Sequence, residues 1–282
     1  MKNINLLALV CVLAGGSVQA MNNYAVTPRP ASDYARSTAG SISAGYDSRC
    51  SYKNVVASPV LNKSGLFSLR GGMSMPIMSS WKQHFGAEYD ELLDGALKDR
   101  DIFNAFWAMD KEILPNLRAG VGYELNYGGL PGFIAKRMGK VSHSLAQGVH
   151  AYVKYDDSGH GYFGSADLQA GFYGLTGWRF DLEGGKRWHS NFSQRVDMEL
   201  SAGIGFSSSY WGSDIGGVDQ LNVKFALPIR TNLMDDQKGI RIVPYIQAAW
   251  SGNTRSEINR YCRERVIDRF QLIGGVNIIY NF

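Results

Sequence analysis

Long stretches in which apolar and polar residues alternate strictly, repeated down the chain, limit its fold more than any other feature. Successive side chains of an extended strand point to opposite faces, so each such run builds a sheet with one greasy and one polar side. Between Leu117 and Tyr127 the apolar series Leu117, Ala119, Val121, Tyr123, Leu125, Tyr127 interleaves with Arg118, Gly120, Gly122, Glu124 and Asn126. The same pattern sets Val196, Met198, Leu200, Ala202 and Ile204 against Arg195, Asp197, Glu199, Ser201 and Gly203. It sets Phe180 and Leu182 against Arg179, Asp181, Glu183 and Arg187, and Leu221, Val223 and Phe225 against Gln220, Asn222 and Lys224. With 33 glycines, 12% aromatic and only 19% charged residues, the composition suits many Gly-interrupted, aromatic-rich strands and excludes disorder or a coiled coil. A net charge of +4 without a Lys/Arg run gives no stripe for nucleic acid.

The start of the chain reads as an export signal. Met1-Lys2-Asn3 is a short basic start, Ile4 to Gly16 is almost wholly apolar, and Ser17-Val18-Gln19-Ala20 ends in a small residue. Cleavage is expected after Ala20, with 21–39 as an N-terminal segment on the periplasmic side and 40–282 as the folded domain. Cys11 lacks the small residues that precede a lipidated cysteine. Beyond the leader no apolar run nears the roughly 18 residues a membrane-crossing helix needs.

A soluble sandwich would alternate in the same way. Three features favour a membrane barrel, whose outer face is apolar and whose lumen is polar. Aromatics sit near strand ends on the apolar faces, as with Trp178, Trp188, Tyr123, Tyr127 and Trp250. The opposite faces mix both charge signs with glycine. The third feature is the final strand, Val276-Asn277-Ile278-Ile279-Tyr280-Asn281-Phe282, which alternates and finishes on phenylalanine.

In that last strand the sequence resembles bacterial outer-membrane β-barrel proteins of the porin kind. A shorter likeness to the opening strand of some porins lies in Ala44-Gly45-Tyr46-Asp47-Ser48-Arg49 with Ser51-Tyr52-Lys53. The resemblance implies a location in the outer membrane, surrounded by lipid. It also implies recognition of Ile278, Tyr280 and Phe282 by the barrel-assembly machinery.

The expected fold is therefore all-β, a single antiparallel up-and-down barrel of about twelve strands, within roughly 10 to 14. The candidate strands are 40–48, 51–57, 65–76, 101–110, 116–127, 145–156, 162–173, 178–189, 194–206, 218–228, 239–250 and 267–282. With Phe282 in the periplasm, the outer connections become 77–100, 128–144, 174–177, 207–217 and 251–266, mostly longer than the periplasmic ones. Tyr89 to Leu97 has helical spacing, so 77–100 is expected to fold inward or helically. Glu88, Asp90, Glu91 and Asp94 lack calcium-loop spacing and read as a solvated face. In this layout Cys50 and Cys262 both lie outside, near the seam of first and last strands. They are expected to pair, closing a loop of about 210 residues.

Register places Arg70, Arg118, Glu124, His150 and Lys154 on the inner wall. The same reading adds Asp167, Arg179, Asp181, Glu183 and Arg187, then Arg195, Asp197, Glu199, Lys224 and Arg241. Such charges can pair across strands, or uncompensated arginines can form a constriction selecting small polar or anionic solutes. The expected function is passive passage of small polar solutes. The alternative is a closed barrel with a structural or adhesive role through its outer loops. Glycines in Gly120-Val121-Gly122 and Gly203-Ile204-Gly205 open no helix, and ease curvature or crowding instead of cradling phosphate.

An outer-membrane hydrolase is the remaining option, and its residues are poorly disposed. Ser142-His143-Ser144 and His189-Ser190-Asn191 are the suggestive clusters, but neighbours on a strand face opposite ways and His189 lies at a periplasmic turn. The expectation is therefore no enzyme. The five histidines are scattered, with no metal-ligand spacing and no cofactor motif.

Overall fold

The computed structural model describes residues 38–49, 51–52, 55–56, 65–78, 80–93, 101–128, 145–157, 159–189, 193, 195–208, 216–231, 239–263 and 267–282. The expected leader, 1–20, and most of the expected N-terminal segment, 21–39, thus lie outside the described residues. Twelve long strands form the wall: β1 (Ala39–Asp47), β2 (Leu66–Met78), β3 (Trp81–Leu92), β4 (Ile102–Leu114), β5 (Leu117–Gly128) and β6 (Leu145–Asp157). They continue as β7 (Tyr162–Tyr173), β8 (Leu175–His189), β9 (Asp197–Ser208), β10 (Gly216–Ala226), β11 (Gly239–Ser251) and β12 (Phe270–Asn281). Each pairs antiparallel with its chain neighbours. β1 also pairs with β12, from Ser41 opposite Asn281 to Asp47 opposite Gly275. Gly40 and Phe282 exchange backbone hydrogen bonds of 3.0 Å, so the sheet closes on itself and leaves no edge.

Two-residue connections at 79–80 and 115–116 mark one end, here the turn end, which also carries 158–161, 190–196 and 227–238. Both Ala39 and Asn281 lie there. The other, loop end carries 48–65, 93–101, 129–144, the single-residue link at Gly174, 209–215 and 252–269. A helix, α1 (Asn253–Cys262), belongs to the last of these.

The strand count agrees with expectation, but two assignments change. Among the described residues, the stretch 51–57 contributes no barrel strand; Ser51–Tyr52 pairs with Val55–Val56. The supposed loop 77–100 contains β3, which turns back from β2 at 79–80 and pairs with it from Leu66/Leu92 to Met78/Trp81. The period-2 pattern of Lys82, His84, Glu88, Asp90 inside and Trp81, Phe85, Ala87, Tyr89 outside outweighs the helical spacing of Tyr89 to Leu97.

Outside, the barrel is apolar. Val121, Val149, Leu182, Leu200, Val223, Ile246, Leu272 and Ile278 are exposed near mid-wall. Aromatics mark both rims: Trp81, Tyr155, Tyr162, Tyr280 and Phe282 at the turn end, Tyr46, Tyr89, Tyr127, Phe172 and Trp178 at the loop end. These are the interfacial girdles of a membrane-spanning sheet. Lys186 faces outward at the turn-end rim, with Nζ 4.6 Å from the Tyr162 ring centroid and 3.3 Å from its hydroxyl. Its ammonium thereby reaches the headgroup level.

Inward glycines have a specific use. A Cβ at Gly122 would strike the His150 imidazole and the Trp107 carbonyl, and one at Gly120 would strike the Tyr152 ring. Gly275 leaves the same room for Tyr245. Large rings can therefore lie flat against the neighbouring strand. Gly122→Val is expected to lower the folded fraction after refolding into detergent, read as loss of the heat-modifiable band on a gel. An unchanged band would remove this role.

Candidate functional site: the charged lumen

Because the inner register is set by the outward apolar series, the polar residues of every strand converge on one interior. Arg70 on β2 donates to Glu88 on β3 at 2.6 Å. Arg118 on β5 and Lys154 on β6 are cross-strand partners, and the Lys154 ammonium lies 4.4 Å from the Tyr152 ring centroid. His150 Nδ1 is 3.4 Å from Asp167. Arg179 donates to Asp181 at 2.8 Å. Arg187 spans three strands, donating to Glu199 at 2.9 Å and Asp156 at 3.1 Å with its guanidinium 4.2 Å from the Phe163 ring centroid. Glu183 occupies an inward position one pair from Asp181. Lys224 sits 4.3 Å from the Tyr245 ring centroid, and Tyr245 in turn donates to Asp47. Arg241 takes an inward position at the turn end of β11, opposite Ile279.

One predicted position differs. Arg195 lies before β9, exposed in a turn-end connection, so it lines no wall. The alternation of Arg195 and Val196 runs on before the strand, which starts at Asp197. Asp197 sits at the turn-end mouth, held by His189 at 2.6 Å and Arg230 at 3.0 Å. The idea of uncompensated arginines also fails for Arg70, Arg179 and Arg187, each of which meets a carboxylate. Charges crowded in a narrow interior are held by opposite partners, since leaving one unpaired costs several kcal/mol.

Several inner residues were not found from sequence. Lys82, His84, Glu88 and Asp90 were hidden in the supposed loop, although their own alternation was the available signal. Ser74, His84 and Asp110 form a chain across β2, β3 and β4, with Ser74 Oγ 2.7 Å from His84 Nδ1 and His84 Nε2 3.1 Å from Asp110. Tyr152 donates to the same carboxylate at 3.2 Å. The trio resembles a hydrolase triad, but the serine is 3% exposed and the imidazole 2%. A sealed hydroxyl cannot meet a substrate, so this chain ties wall strands together. Of the predicted serine clusters, 142–144 and Ser190-Asn191 lie outside the described residues. His189 is engaged with Asp197. Among the described residues no group of three or more His, Cys, Asp and Glu side chains could hold a metal.

The loop end is organised by a β-bulge. Gly205 pairs with Gln220 and Phe206 with Val218, which leaves Asp219 as the extra residue, fully buried. Such bulges re-aim a side chain. Here Asp219 accepts from Arg255 of α1 at 2.7 and 3.1 Å, with Arg179 Nε 3.7 Å away. Arg255 and Ile258 are fully buried and Thr254 nearly so, which places one face of α1 against the loop-end mouth beside β10. Burial pulls the Arg255 guanidinium below its usual range, and Asp219 opposes that. Asn259 fastens the return of the segment, accepting from the Ile267 backbone N–H at 2.7 Å. Cys262 ends α1, and Cys50, its expected disulfide partner, lies outside the described residues.

A closed twelve-stranded barrel with an apolar outer belt, aromatic rims and a charged interior defines the class: an outer-membrane-type β-barrel. No protein family model and no curated protein matches the sequence. Among solved structures, the chain is similar to an outer-membrane channel from Pseudomonas putida F1, with 9% identity and a TM-score of 0.48 over 87% of this chain and 95% of that one. It is similar to the NanC porin, with 8% identity and a TM-score of 0.46 over 86% and 98%. The KdgM porin gives 8% identity and a TM-score of 0.44 over 86% and 99%.

Proposed function

We propose that this protein is a narrow outer-membrane channel for passive passage of small polar solutes, with its turn end in the periplasm and its loop end outside. The observation that carries this reading is the inner wall itself. Cations and carboxylates line the lumen around the barrel, and Arg70, Asp156, Asp181 and Arg187 keep part of their surface accessible. A purely structural interior could be apolar, whereas a polar wall replaces the hydration of a passing solute. Ile278, Tyr280 and Phe282 face lipid on the closing strand, which suits a signal read before the barrel closes. The protein supplies no covalent chemistry in this reading, and its partners are lipid, the assembly machinery and the solute.

A second reading, a closed barrel acting through its outer loops, draws on the depth of burial. Lys154, Glu199 and Lys224 are below 10% exposed, and α1 is docked by buried Arg255 and Ile258 at the loop end. Purified protein in a planar lipid bilayer decides between them. Reproducible conductance steps are expected; a folded barrel that stays silent would replace the channel with the closed, surface-binding protein.

A further inference from the structure

Arg70, Arg179 and Arg187 of the lumen each meet a carboxylate, whereas one part of the loop-end rim carries arginines that face water. The outer face of α1 repeats at helical spacing as Ser256, Arg260 and Arg263, all exposed, away from the buried Thr254, Arg255 and Ile258. Asn259 ties the Ile267 backbone to the last turn of the helix, which brings Arg269, two residues on, to the same part of the rim. Arg269 is exposed as well and stands just before Phe270 at the head of β12. Arg49 adds a cation beside them, since it follows Ser48, whose hydroxyl accepts from the Gly274 N–H of β12 at 2.9 Å. The described acids of the segment are engaged, Glu257 with Arg260 and the buried Asp268 with Gln271. Among the described residues no ion pair holds Arg263 or Arg269. Across the barrel the same rim has the opposite sign, with Glu91 exposed and Asp101 accepting from the Tyr89 hydroxyl.

The wall directly below this cluster is apolar. Phe270 and Leu272 are 61% and 60% exposed on the outer face of β12, and Trp250 stands opposite Phe270 on β11. Rim aromatics of this kind mark the headgroup level of a bilayer, so the arginines lie at or just above it. A planar guanidinium grips phosphate with paired hydrogen bonds.

We propose that this arginine cluster docks the phosphate groups of the outer-leaflet glycolipid, with the phosphorylated head against Arg260, Arg263 and Arg269 and the acyl chains along Phe270 and Leu272. A lipid fits better than a free anion because the cluster runs down into exposed apolar wall, which a soluble phosphate cannot use. The proposal rests on the orientation given above, with the loop end outside, and is independent of whether the lumen conducts.

The test is a titration of the full-length protein, folded in detergent, with purified lipopolysaccharide, bound lipid being counted by native mass spectrometry. The intact lipid is expected to stay bound, and the same lipid stripped of its phosphates to bind several-fold more weakly. R263S and R269S together are expected to weaken binding of the intact lipid several-fold, while R195S, an exposed arginine at the turn end, leaves it unchanged. The heat-modifiable band checks that each variant is folded, and the comparison of the two lipids needs no variant. Equal binding of both lipids, or binding by the folded double variant at the wild-type level, overturns the proposal. Release of the lipid by millimolar inorganic phosphate would mark a free-anion site and overturn it as well. Binding is read in detergent, so these results stand apart from conductance, and antibody binding to α1 on intact cells reports the orientation separately.

Discussion

Arg255→Ala is expected to raise the conductance of the folded barrel several-fold and to make α1 a substrate for trypsin at Arg260 and Arg263. The helix has only ten residues, its N-cap Gly252 makes no side-chain capping bond, and its first turn has no acidic residue. Isolated helices shorter than about 12 to 15 residues are marginal in water. What holds α1 is therefore its docking, through buried Ile258 and the two hydrogen bonds from Arg255 to Asp219. Breaking a buried pair by removing one partner costs about 3–5 kcal/mol. That loss acts locally because the strands beneath remain fully paired. Arg179 stays beside Asp219, so the wall keeps a counter-charge once the helix leaves. Glu257→Gln, on the same helix and paired with exposed Arg260, is the control and should change neither reading. Unchanged conductance together with unchanged cleavage would show that α1 does not restrict the mouth.

Much of this architecture was legible in the sequence because the barrel has a simple physical code. One face of each strand meets lipid and the other meets its own polar interior, so period 2 is written in nearly every strand. β5, β8 and β9 could be placed within a few residues on that basis. β3 was missed because its core, Gln83-His84-Phe85-Gly86-Ala87-Glu88, mixes small and polar residues on the outward face, and the acids that follow look like a solvated turn. Burial gives those acids their meaning: Glu88 meets Arg70, and Asp90 is enclosed.

The lumen was only partly legible for a different reason. Register tells which side chains point inward, but not which of them meet. Arg187 reaches Glu199 on β9 and Asp156 on β6, the latter 31 residues away in the chain. The level at which each charge stands depends on strand tilt and stagger, which alternation does not encode. The Asp219 anchor depended on a bulge, and no local pattern distinguishes Val218-Asp219-Gln220 from an ordinary strand. Hence the partners of the inner charges and the docking of α1 emerge from the closed barrel alone.

Leu182→Arg and Glu183→Gln test the two-faced wall at adjacent residues of β8, and their outcomes should differ sharply. Leu182 is 42% exposed and lies between Ala166 and Ile204 of the neighbouring strands, in the middle of the apolar belt. An arginine there must be held in hydrocarbon or distort the bilayer around it, at about 2–4 kcal/mol near the midplane. Because whole proteins are stable by only about 5–15 kcal/mol, this is a large fraction of the available margin. The refolding yield into lipid vesicles should fall steeply, read as the heat-modifiable band. Glu183 points the other way, and glutamine keeps its shape and most of its hydrogen-bonding capacity, so refolding should stay near wild type. The difference comes from the medium on each side of a wall one residue thick. If Leu182→Arg instead refolds as well as wild type and stays soluble without detergent, the outer face is wet, and the membrane-spanning reading falls with it.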